Sequence, residues 1–238
     1  FKRQGALKER LQVRRAPAAA PPAAQEHPED PAASLADMLG ALEAVAQACF
    51  EAWCSSAGVP AVEALRLFGD RGHAPQQACG GARGKSVLNL YHYFNDDACE
   101  EEPCREHADP GLLTVLCRSD NPALQVRCPA ADGTEVWSDI ELEMDAVLSE
   151  GDVVLLVVVG ETLERLSSGS MPACRHRVVR AAGARFNAAY EMRPRAHVWY
   201  PWGELVSRGA SSGASDRAHG AGAQPAPSGP RHSQTSKK

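Results

Sequence analysis

The chain has 238 residues and a formal net charge of −5, with 44% hydrophobic and 23% charged side chains. That length can bury one sizeable core, and the mildly acidic balance lacks the basic footprint that nucleic acid or an anionic membrane would demand. The longest unbroken apolar run, residues 153–159, is far shorter than the roughly 20 residues of a membrane span, so it reads as a buried strand and no membrane partner is expected.

In chain order, residues 1–33 are a basic start and a Pro/Ala-rich stretch, "APAAAPPAAQEHPEDPAA", expected to be a disordered tether. Residues 34–208 form the expected globular unit. Residues 209–238 hold almost no large apolar side chain and are expected to be a disordered tail. The first residue is Phe1, so a fragment or a processed product is expected. The eight cysteines, at 49, 54, 79, 99, 104, 117, 128 and 174, contain no C-x-x-C pair, which argues against a zinc ribbon. With no signal-peptide pattern, free thiols in a reducing compartment follow: the cytoplasm, with an organelle as the alternative.

The segment "SLADMLGALEAVAQACFEAWC" places Leu35, Met38, Leu39, Leu42, Val45 and Ala46 at spacings of three and four, which predicts an amphipathic helix. Ser34 would cap it, with Asp37 three residues on. "PAVEALRLF" predicts a second, short helix. After Gly84 the period changes to two. "SVLNLYHYF", "GLLTVLCR", "ALQVRC", "VWSDIEL", "DVVLLVVVG", "RHRVVRA" and "RFNAAYEM" read as strands, most of them separated by turn residues. Seven short strands without helices between them predict a sandwich or barrel, mainly β with flanking α-helices.

His107 and Asp109 stand two apart in "CREHADPGLLTVL" and would share a face if both lay on a strand. Eight histidines and 30 acidic residues give roughly one His-x-acid triplet by chance, and the chain has two, the other being His27-Pro-Glu29 in the tether. The pattern alone is therefore weak. Two histidines and a carboxylate on one side of an iron leave the other side open to substrate and oxygen. His176 shares its strand face with Val178 and could supply the third ligand; a satisfied core histidine fits the same pattern. Arg185, Asn187 and Ala189 share one face of the last strand. A buried arginine there needs an anion, either a carboxylate ligand or a structural partner such as Asp152 or Glu161.

These blocks in this order resemble the 2-oxoglutarate- and Fe(II)-dependent dioxygenases, in the isopenicillin N synthase-like branch. The resemblance covers roughly residues 86–194 and rests on "HADPGLLTVL", "PALQVR" with "DG" and Trp137, "GDVVLLVVVGETLERLSSG", "HRVV" and "RFNAAYEMRP". It implies a double-stranded β-helix, or jelly roll. It implies His107, Asp109 and His176 as iron ligands and Arg185 as the grip on the distal carboxylate of 2-oxoglutarate. Asn187 stands in the place of a serine that bonds the same carboxylate, and Tyr93 matches a tyrosine that reaches cosubstrate or substrate. The implied activity is oxidation, above all hydroxylation, of a small organic molecule. O2 is consumed, succinate and CO2 are released, and ascorbate is a further cofactor that the resemblance allows. A 2-oxoglutarate-independent oxidase and a non-catalytic jelly-roll binding protein are the alternatives. A monomer is expected.

Overall fold

The structure, a computed structural model, describes residues 2–4, 8–14, 31–60, 85–94, 102–146, 149 and 153–194. All of the helix expected over 60–68 except Pro60, the tail from 209 and most of the Pro/Ala-rich stretch lie outside these residues.

A long helix, α1 (Pro31–Ser56), is followed by β3 (Val87–Tyr93), β4 (Cys104–His107), β5 (Leu113–Cys117), β6 (Leu124–Pro129) and β7 (Glu135–Ser138). Then come α2 (Ile140–Asp145), β8 (Leu155–Val159), α3 (Glu161–Leu166), β9 (His176–Val178) and β10 (Arg185–Met192). Ahead of them lie β1 (Lys2–Gln4) and β2 (Lys8–Val13). The basic start is thus not all tether: β2 pairs antiparallel with β3 from Lys8↔Tyr93 to Val13↔Leu88. Composition hides this strand, because its charged residues lie on a strand near the sheet edge, where charge is tolerated.

The strands form two antiparallel sheets, one in the order β1-β2-β3-β10-β5-β8 and one in the order β4-β9-β6-β7. This is the expected jelly roll. The central strands of the large sheet carry apolar clusters on both faces, and side-chain alternation divides their residues. Leu88, Leu113, Val115, Tyr190 and Met192 point to the α1 side, where they meet Leu39, Leu42, Ala46, Phe50 and Cys54. Tyr93, Leu116, Val158 and Ala189 point the other way, to Leu124 and Val178 of the small sheet.

Three local readings differ from expectation. α1 begins at Pro31, so Ser34 lies inside the helix rather than capping it; proline is at ease in a first turn, where its missing N–H costs nothing. By length and composition α1 is also apolar enough to cross a membrane, although its buried stripe docks on the large sheet. The segment "VWSDIEL" is a strand only to Ser138 and then turns into α2. Finally, β4 ends at His107, so Asp109 lies beyond the strand and the shared-face argument does not hold for it.

Candidate active site

Between the two sheets lies a cavity of about 60 Å³. The large sheet contributes Tyr93, Thr114, Arg185, Asn187 and Glu191; the small sheet contributes His107 and His176, with Asp109 from the turn after β4. All six residues singled out from the sequence therefore line one space.

His107 and His176 meet because β4 pairs with β9 in a register that sets them directly opposite each other. Their ring centroids are 4.3 Å apart. Asp109 arrives by another route. The turn that carries it is pinned to the start of α3: Glu161 N donates to Asp109 O at 2.8 Å, Thr162 N to Gly111 O at 3.0 Å and Thr162 Oγ1 to Pro110 O at 2.6 Å. Two glycines permit this closeness. A Cβ on Gly160 would lie 2.3 Å from the Gly111 carbonyl oxygen, and one on Gly111 would lie 2.6 Å from Met192 O. The turn thereby delivers Asp109 Oδ1 to 3.5 Å from His107 Nε2 and 3.8 Å from His176 Nε2. One ligand atom from each of the three residues lies within 4.8 Å of the others.

The hydrogen bonds behind the rings fix their chemistry. His107 Nδ1 lies 2.9 Å from Arg105 O, and His176 Nδ1 lies 3.1 Å from Cys174 O. A carbonyl only accepts, so each Nδ1 carries the proton and donates it. In the neutral ring each Nε2 then offers a lone pair toward Asp109. Two imidazole nitrogens and a carboxylate oxygen, converging and oriented from behind, fit a divalent transition metal that prefers mixed N/O ligands. Without a metal, the Asp109 carboxylate and the Cys104 thiol hold His107 up at about 10. Burial pulls His176 down against the attraction of Asp109. Burial also opposes ionisation of Asp109, but the bond from His107 and the charge of His176 outweigh it, and its pKa is lowered.

The other end of the cavity is built differently. Arg185 is 1% exposed and Glu141 is 2% exposed. Arg185 Nη1 donates to Glu141 Oε2 at 2.8 Å and Nη2 to Glu141 Oε1 at 3.0 Å, a two-pronged pair. Nη1 also donates to Asn121 O at 2.6 Å. Glu141 accepts three backbone amides as well, from Ser119, Ala123 and Leu124. Burial disfavours its charge, yet these donors win and its pKa is lowered. The anion facing Arg185 is Glu141 rather than Glu161, which pairs with Arg165; Asp152 lies outside the described residues. Asn187 donates from Nδ2 to Cys117 O at 2.6 Å, so part of its amide is engaged in holding β10 to β5. Burial keeps the Tyr93 hydroxyl protonated by pushing its pKa well above the usual value.

Glu191, which lines the cavity, and Glu141, which holds Arg185 from behind that lining, escaped the sequence reading. Glu191 shares strand parity with Arg185, Asn187 and Ala189, and that parity could have found it. Glu141 sat in a segment read as strand, and only the turn into α2 aims it at Arg185.

Residues 85–194 match the family described as the 2OG-Fe(II) oxygenase superfamily. Among curated proteins, gibberellin 2-beta-dioxygenase 1 of Oryza sativa subsp. japonica is 32% identical over 93 residues, which is 39% of this chain and 22% of that protein. Gibberellin 2-beta-dioxygenase 3 of Arabidopsis thaliana is 32% identical over 97 residues, 40% of this chain and 25% of that protein. The matched stretch thus spans about a quarter of these relatives' length. Among solved structures, a full-length Neurospora crassa protein in complex with alpha-KG superposes with a TM-score of 0.54 at 21% identity, over 79% of this chain and 55% of that one. JOX2 in complex with 2OG, Fe and JA gives a TM-score of 0.55 at 16% identity, over 80% and 51%. At such identities the structures speak for the shared jelly roll alone. The family match and the curated relatives, set on this fold and this cluster of His107, Asp109 and His176, make the stretch from residue 85 to residue 194 a domain of the 2OG-Fe(II) oxygenase superfamily.

Proposed function

We propose that the chain is an Fe(II)- and 2-oxoglutarate-dependent dioxygenase that oxidises, most simply by hydroxylation, a small organic molecule. The reaction would consume O2 and release succinate and CO2. The observation that carries this reading is the convergence of His107, Asp109 and His176, with both histidines locked by backbone carbonyls so that Nε2 is free to coordinate. These three residues would hold the iron from one side. The metal supplies the redox chemistry with O2 when bound. The protein contributes orientation and a closed space between the sheets. Arg185 would meet the distal carboxylate of 2-oxoglutarate, and the Tyr93 hydroxyl, kept protonated, can donate a hydrogen bond beside it. The net charge of −5 is in keeping with a small-molecule substrate rather than nucleic acid.

A second reading, a 2-oxoglutarate-independent oxidase, has one observation in its favour: Glu141 already compensates the charge of Arg185.

The test is an anaerobic Fe(II) titration. Wild type should bind one iron per chain, and His107→Ala should bind it far more weakly. Adding 2-oxoglutarate should then produce the weak metal-to-ligand absorption of a chelated 2-oxo acid. Arg185→Lys should weaken that binding by about one power of ten, since lysine lacks the fork. Equal iron binding in wild type and His107→Ala would remove the iron site. Bound iron without the absorption would favour the oxidase.

A further inference from the structure

A guanidinium has two edges that can take a carboxylate. The end edge is formed by Nη1 and Nη2, and the side edge by Nε and the nearer Nη. In Arg185 the end edge is taken by Glu141, oxygen for nitrogen. The side edge is not: Arg185 Nε is buried and has no hydrogen-bond partner. A buried N–H left unsatisfied costs about 1–3 kcal/mol, so its acceptor has to come from elsewhere. Arg185 also lines the cavity whose other end holds His107, Asp109 and His176.

We propose that Glu141 is a positioning residue: it grips the end edge of Arg185 so that the side edge is presented to an incoming carboxylate. The inference rests on Arg185 as the cosubstrate grip, set out under Proposed function, and it resolves the conflict between that grip and the buried pair. Glu141 is itself immobilised by the amides of Ser119, Ala123 and Leu124. Asn121, in the same turn, fixes Nη1 through its carbonyl and donates from Nδ2 to Ala182 O at 2.7 Å, just ahead of β10. The turn between β5 and β6, the start of α2 and the start of β10 thus form one frame around the guanidinium. That frame restrains rotation about the last side-chain bonds, which a lone arginine would have to give up on binding. Because the pair is neutral as a whole, an arriving carboxylate gains from the direct N–H donors rather than from a free positive charge.

The test compares two 2-oxo acids on anaerobic Fe(II)-loaded protein. 2-Oxoglutarate carries a distal carboxylate; 2-oxobutyrate chelates through the same end but lacks it. Wild type should prefer 2-oxoglutarate by about tenfold or more. Glu141→Gln puts an amide donor where Arg185 and the backbone need an acceptor, so the side edge loses its fixed aim. That variant should lose most of the preference through weaker 2-oxoglutarate binding, with iron stoichiometry and 2-oxobutyrate affinity unchanged. A purely structural role would lower both acids together. An unchanged or increased preference in folded Glu141→Gln overturns the proposal. Equal affinity of wild type for the two acids would instead overturn Arg185 as the grip. Should Glu141→Gln not fold, wild type loaded with diamagnetic Zn(II) decides by nitrogen NMR. On adding 2-oxoglutarate the Arg185 Nε–H signal should move while the Nη–H signals bridged to Glu141 stay. Movement of the Nη signals without Nε overturns the proposal.

Discussion

The two ends of the cavity hold charged groups in opposite ways. At the metal end, His107, Asp109 and His176 stand 3.5 and 3.8 Å apart at their facing atoms, too far for strong hydrogen bonds, while their outer nitrogens are firmly bonded to backbone. At the other end Arg185 and Glu141 are in direct contact, fully buried and bonded on nearly every side. The first arrangement leaves converging donor atoms that a third body can join once it displaces the proton His107 holds. The second is already joined, and only Nε is left over. An ion should therefore matter most at the metal end and the fold should depend most on the arginine end.

The sharpest way to break this comparison is to remove one group from each end in the metal-free protein. Arg185→Ala strands the Glu141 carboxylate in the interior and should cost about 3–5 kcal/mol in denaturant unfolding. His107→Ala removes a part-exposed ring and should cost less than about 1 kcal/mol. A reversed ranking would show that the metal end is the structural one. Adding metal should invert the picture. Fe(II) at about 100 times its Kd should stabilise wild type by about 2.7 kcal/mol in anaerobic melting, and should leave Asp109→Ala close to its metal-free value.

Acid probes the arginine end more gently. The folded pKa of Glu141 is depressed, so its contribution is fully present above the ordinary value of 4.5 and is lost as pH falls through the lower folded value. Unfolding free energy should therefore fall below pH 4.5 more steeply in wild type than in Glu141→Gln. Parallel curves would mean that the pair does not couple folding to pH.

The smallest effect concerns one face of β10 away from the cavity. Phe186 and Tyr190 have the same strand parity, yet Phe186 is 65% exposed and Tyr190 is 2% exposed. Tyr190 lies in the core built with α1, whereas Phe186 stacks on His92 at 4.3 Å at the other end of the strand. Phe186→Ala should change stability by about 0.5 kcal/mol or less, and Tyr190→Ala by about 3 kcal/mol or more. Equal costs would indicate a covered Phe186 in solution.

Much of this architecture is written locally. The alternation in "RFNAAYEM" and "SVLNLYHYF" determines which residues of β10 and β3 face the cavity, because a strand's side-chain period is two whatever surrounds it. The apolar run of β8, "LLVVV", determines a strand that packs apolar side chains on both faces, half-buried except for Val158. The blocks from His107 to Arg185 also picked out residues that come to line one cavity. Other features required the assembled chain. Asp109 reaches the histidines through a turn held on α3 by two glycine contacts, not through strand alternation, and no spacing along the chain encodes that crossing. β2 joins the large sheet although its composition resembles a tether, because pairing needs only backbone and an available edge. The partner of Arg185 is Glu141, 44 residues away, chosen by where α2 starts. Periodicity fixes the direction of a side chain within its own element. Which group it meets is set by how elements pack, so ion pairs and crossings belong to the tertiary structure alone.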